Sequence, residues 1–109
     1  MNAANREEQW VTVARRDELW EGGMLPVTVD GNAIALYDVG GELFATDNEC
    51  THALAILTDG WLEGDVVECP LHGGKFSVRT GQGLCAPITR GLRTYEVRCV
   101  GSDIQLKHP

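Results

Sequence analysis

Apolar residues along the chain fall in short runs that alternate with polar ones, and no stretch keeps the three-to-four-residue period of an amphipathic helix. Turn-forming glycine, asparagine or aspartate separates most of these runs. The alternation predicts a first strand at 10–13 and a loop or single helical turn around 16–19. Strands follow at 27–29 and 33–38, joined by Asp30, Gly31 and Asn32, and at 43–46 after a tight hairpin at Gly40 and Gly41. Between Asp47 and Gly64 the alternation is lost, so that stretch reads as loop-rich. It resumes at 66–69, 75–78, 94–100 and 104–107, with Gly101 and Ser102 as the last turn. Many short strands at this spacing predict an all-β domain of small antiparallel sheets, a sandwich or barrel. No repeat or linker divides the chain, so 9–109 reads as one domain behind a disordered segment over 1–8.

The totals narrow the possible roles. A chain of 109 residues holds one compact domain. With 16 acidic and 9 basic residues its net charge is −7, and the basic residues form no dense run. Nucleic acid and anionic membranes, which need a positive face, are excluded as partners. An acidic surface instead suits partners with basic docking patches. No apolar run approaches the roughly 18 residues of a membrane span. The opening MNAANREEQW is polar and does not read as a signal peptide, so the expected location is cytoplasmic. In that compartment four cysteines point to metal binding before disulfides.

Two short motifs carry the chemistry: Cys50-Thr51-His52, and Cys69-Pro70-Leu71-His72 followed by Gly73-Gly74. Each offers a thiolate and an imidazole, and the 16 residues between His52 and Cys69 let the two loops face each other. A Cys₂His₂ set fits a tetrahedral zinc ion or a Rieske centre, in which two cysteines bind one iron and two histidines the other. Structural zinc sites typically pair like with like. Here each motif mixes the two types, so each loop can reach both irons of an extended cluster. The glycines after His72 let backbone approach such a cluster closely.

The run from Leu36 to Val97 resembles the Rieske ferredoxin components of bacterial aromatic-ring-hydroxylating dioxygenases, most nearly the naphthalene type. ALYDVGGELFATDNECTH, DGWLEGDVVECPLHGGKFSVRTG and LCAPITRGLRTYEV carry the resemblance. It implies antiparallel sheets with a cluster-binding subdomain of two loops and one [2Fe–2S] cluster. Cys50 and Cys69 would bind the inner iron, His52 and His72 the outer, and a third loop around Pro87 would cover them. It also implies a soluble one-electron carrier, not itself an enzyme. Such a monomeric carrier would move electrons from a flavin-containing NAD(P)H reductase to a Rieske non-haem iron terminal oxygenase, meeting each transiently. A permanent subunit of an assimilatory nitrite reductase and a structural zinc protein remain the alternatives.

The chain departs from its relatives in having Ala53 where many have glycine after the first histidine. Respiratory Rieske proteins carry a disulfide at positions matching Ala55 and Leu71, and sulfur-directed hydroxyls at positions matching Gly74 and Phe76. Without those donors the reduction potential is expected at the low end of the Rieske range, about −150 mV. Cys85 and Cys99 read as buried free thiols, His108 as an exposed tail residue, and Trp10, Trp20 and Trp61 as packing aromatics. Glu63, Asp65 and Glu68 read as a solvated face.

Overall fold

The computed structural model describes residues 9–52 and 54–108; the segment 1–8 and Ala53, on which two of the expectations above fall, lie outside the described residues. Among the described residues ten strands form: β1 Trp10–Arg15, β2 Met24–Val29, β3 Asn32–Val39, β4 Glu42–Asp47, β5 Trp61–Glu63, β6 Val66–Glu68, β7 Lys75–Ser77, β8 Thr94–Tyr95, β9 Val97–Val100 and β10 Asp103–Lys107. Two single 3₁₀ turns, Arg16–Glu18 and Leu57–Asp59, accompany them. The strands make three sheets in the orders β1-β10-β9, β2-β3-β4-β8 and β5-β6-β7. The all-β expectation holds.

Three details depart from the alternation pattern. Val29 pairs with Asn32, so the β2–β3 turn is Asp30 and Gly31 alone, both at positive φ (49° and 80°), and Asn32 belongs to the strand. The stretch 94–100 is two strands: β8 pairs with β4, and after Glu96 β9 pairs with β10. Side-chain alternation runs on through such a change of partner, which is why it is invisible in the pattern. Strand β5 falls inside the stretch read as loop, because Trp61 and Leu62 are adjacent apolar residues, one exposed and one half-buried, and break the alternation.

Strand β3 is buried from Ile34 to Asp38 and feeds two cores. Ile34 and Leu36 join Ala14, Leu19, Val29, Ala45, Ile104 and Leu106 in one. Ala35 and Tyr37, on the other face, pack with Leu57, Val67, Phe76 and Val78 in a second core that also contains Cys50 and Cys69. Asp38, only 1% exposed, is held by Arg16 Nη2 at 2.6 Å and the Gly41 N–H at 2.7 Å. The pair ties the first 3₁₀ turn to the β3–β4 hairpin.

Several side chains lie elsewhere than expected. Trp20 and Trp61 are exposed rather than packed, and Trp10 is half-buried beneath the Arg98 guanidinium. Cys85 and Cys99 are free thiols, as expected, but both are exposed. His108 is exposed as expected, yet its Nε2 lies 2.6 Å from an Asp30 carboxylate oxygen. Of the three acidic residues read as a solvated face, Glu63 is exposed, while Asp65 and Glu68 are half-buried and Asp65 pairs with Arg79 at 2.9 Å.

Candidate metal centre

Both cysteine–histidine motifs sit on loops pinched shut at the neck. In the first, Glu49 bridges Ile56, the Cys50 N–H donates to Ala55 O at 2.9 Å, and Asn48 and Thr58 exchange side-chain and backbone hydrogen bonds. In the second, β6 and β7 pair at Glu68 and Lys75, and the Cys69 N–H donates to Gly74 O at 2.7 Å. Cys69 therefore stands one residue beyond a strand pair and Cys50 one residue beyond an isolated bridge, and each histidine follows on the free loop. His72 has φ +67°, a left-handed conformation that turns the chain back toward β7.

The loops converge. One donor atom each from Cys50, His52 and Cys69 lie within 4.8 Å of one another, and the Cys50 Sγ–His52 Nδ1 separation is 2.7 Å. The His72 ring centroid is 5.9 Å from that of His52, with the planes at 64°. Both cysteines are buried, His52 is half-buried and His72 is exposed. Burial pushes the Cys69 thiol up, with Cys50 adding to the effect, while the Leu71 N–H, 3.4 Å from Cys69 Sγ, pulls the other way. Two buried thiolates side by side need a cationic centre. His52 Nε2 is buried with no hydrogen-bond partner.

Three of the four donors form a compact group, and the His72 ring is brought beside that of His52. A Cys₂His₂ set of this kind suits a zinc ion or a two-iron centre.

A third segment, 84–91, lies against both loops. Thr51 Oγ1 donates to Arg90 O at 2.6 Å, and Cys85 Sγ is 3.9 Å from Gly73 O. Ile88 packs on the core that contains the two cysteines. The contacts of Thr51 and Ile88 were not anticipated. For Ile88 the available signal was a lone aliphatic residue between Pro87 and Thr89.

The Rieske [2Fe-2S] domain family matches residues 9–96. The chain belongs to the Rieske family. Its cofactor is accordingly one Rieske-type [2Fe–2S] cluster, which the donor set of this site fits. The chain is 48% identical over 99 residues to the ferredoxin component of the naphthalene 1,2-dioxygenase system of Pseudomonas aeruginosa, spanning 91% of this chain and 95% of that one. It is 44% identical over 100 residues to the ferredoxin component of the 2,4-dinitrotoluene dioxygenase system of a Burkholderia strain, covering 92% and 96% of the two chains. A solved complex of reduced oxygenase and oxidised ferredoxin from carbazole 1,9a-dioxygenase contains a similar chain, at 36% identity and a TM-score of 0.85 over 90% of this Rieske chain and 92% of that chain. These relatives are electron-carrying components of oxygenase systems rather than the oxygenases themselves.

Proposed function

We propose that Cys50 and Cys69 ligate the inner iron and His52 and His72 the outer iron of this cluster, and that the chain shuttles single electrons to the terminal oxygenase of an aromatic-ring-hydroxylating system. The observation that carries the reading is the burial gradient across the donors, from two buried cysteines through half-buried His52 to exposed His72. When bound, the cluster accepts and releases one electron without bond-making to a substrate. The protein's part is positional. The necks hold the two sulfurs, the Leu71 N–H is directed at Cys69 Sγ, and the histidine end is left at the surface.

That end is also apolar. Leu54, Leu71 and Leu84 are exposed around it, together with Pro70 and Pro87. Such a small apolar centre on a chain of net charge −7 suits transient docking, with contact at the middle and steering from the acidic remainder. The electron donor is a flavin-containing NAD(P)H reductase, the carrier is a cytoplasmic monomer, and 9–109 forms one domain. The similarity to ferredoxin components supports a shuttle over a permanent reductase subunit.

Stopped-flow mixing of the dithionite-reduced chain with its oxidised oxygenase tests the proposal. One electron per chain should pass, with bleaching reversed at the same rate as the oxygenase is reduced. A colourless zinc-loaded protein, or a reduced chain that the oxygenase cannot reoxidise, would refute it.

A further inference from the structure

We infer that Ile88 is a positioning residue: its side chain seats the segment 84–91 on both cysteine–histidine loops and so excludes water from the metal centre. The inference rests on the cluster assignment above. From Leu84 to Gly91 every residue is exposed except Ile88, which is half-buried. The polar tethers of the segment are Thr51 Oγ1 to Arg90 O at 2.6 Å, Cys85 Sγ to Gly73 O at 3.9 Å, and Leu84 N–H to Lys75 O at 2.8 Å. Ile88 is thus the apolar anchor of an otherwise solvated strap.

Two glycines make room for it. A Cβ on Gly74 would stand 2.5 Å from Ile88 Cδ1 and 3.0 Å from its Cγ1, and a Cβ on Gly83 would stand 2.3 Å from Ile88 Cγ2. Ile88 therefore occupies the space that two side chains would otherwise take. His52 Cε1 lies 3.3 Å from the same Gly74 position, so the isoleucine tip and the His52 ring border one small region. Removing that tip leaves a gap beside the unpartnered His52 Nε2, a polar atom that water can satisfy. The reduced cluster carries one more negative charge than the oxidised cluster, so admitted water stabilises it and shifts the potential upward.

The test compares reduction potential and the half-life of the visible absorbance in five holoproteins: wild type, Ile88→Val, Ile88→Ala, Gly74→Ala, and Gly74→Ala with Ile88→Ala. Ile88→Ala should show an upward-shifted potential and a roughly tenfold shorter half-life, as a lowered barrier of about 1.4 kcal/mol gives. Ile88→Val, which loses only Cδ1, should move both readouts the same way but less. Gly74→Ala alone should act in the same sense, because its Cβ would stand 2.5 Å from Ile88 Cδ1 and displace it. The double variant should recover both readouts, because the new methyl then stands in the space that Cδ1 and Cγ1 vacate, 3.3 Å from His52 Cε1. An unchanged potential in Ile88→Ala would overturn the inference, even with faster decay, since lost packing alone gives that. A double variant no better than Ile88→Ala would overturn it as well. Should Ile88→Ala take up no cluster, recovery in the double variant upholds the inference and its absence sinks it. Failure of the underlying assignment would show separately, as a wild type without the mixed histidine–cysteine spectrum.

Discussion

Cutting Leu54 back to alanine should weaken docking to the oxygenase more than the same cut at Leu71. Leu54 is 93% exposed and Leu71 41% exposed. Full burial of an exposed leucine gains about 1.5–3 kcal/mol. Scaled by the surface each still has to bury, Leu54 contributes about 1.4–2.8 kcal/mol and Leu71 about 0.6–1.2 kcal/mol if both sit centrally in the interface. In dissociation constants these are upper ranges of about 10–100-fold and about 3–8-fold. The assay is titration of each oxidised variant into the oxygenase, with stopped-flow electron transfer as a second readout. Visible and paramagnetic spectra should stay those of wild type, because neither side chain belongs to the core around Cys50 and Cys69. Raising salt from about 50 to 500 mM should slow association further, since screening shortens the Debye length to a few ångströms. Wild-type affinity in both variants, or a larger loss at Leu71, would move the docking face elsewhere.

Arg16→Met should cost about 3–5 kcal/mol in a urea melt, because Asp38 would keep its buried charge with only the Gly41 N–H beside it; a loss below about 1 kcal/mol would mean that water reaches the carboxylate. Stability should also fall at high pH. Burial, together with the neighbouring Asp47 carboxylate, pushes Tyr95 up to about 12, and burial pushes Tyr37 in the same direction, from an ordinary value of 10.0. Between about pH 10 and 12 the folded chain keeps protons that the unfolded chain has released, so stability declines through that window. Tyr95→Phe should flatten part of the decline, and an identical profile would contradict this. Removing iron by chelation should cost hydrogen-exchange protection around 48–58 and 66–78 before the β1-β10-β9 sheet, because only one of the two cores contains Cys50 and Cys69; uniform loss would show that the cores open together.

The strands were legible where alternation ran for four residues or more, as in β3 and β10, and where paired turn residues such as Gly40 and Gly41 closed a hairpin. Partner changes were not, as Glu96 shows: it separates strands of two different sheets without disturbing the pattern. The four candidate ligands could be named from spacing alone because the metal's preference for sulfur and nitrogen is written in residue type. Their surroundings could not. Gly74 read as a position lacking a hydroxyl, whereas the fold uses its missing Cβ to admit Ile88. Exposure was the other blind spot. Trp61 lies on the outer face of a three-stranded sheet whose inner face is filled by Val67 and Phe76, and Cys99 lies on strand β9, at the edge of its sheet. Neither residue type reveals on which face it falls.

The claim that Cys50, His52, Cys69 and His72 together hold the cluster is tested most directly by nitrogen hyperfine spectroscopy on the dithionite-reduced protein. Two coupled imidazole nitrogens should appear in the wild type. His72→Ala should lose one of them or the cluster altogether, while His108→Ala should leave the spectrum intact. A wild type without nitrogen coupling, or a His72→Ala spectrum identical to it, would contradict the account.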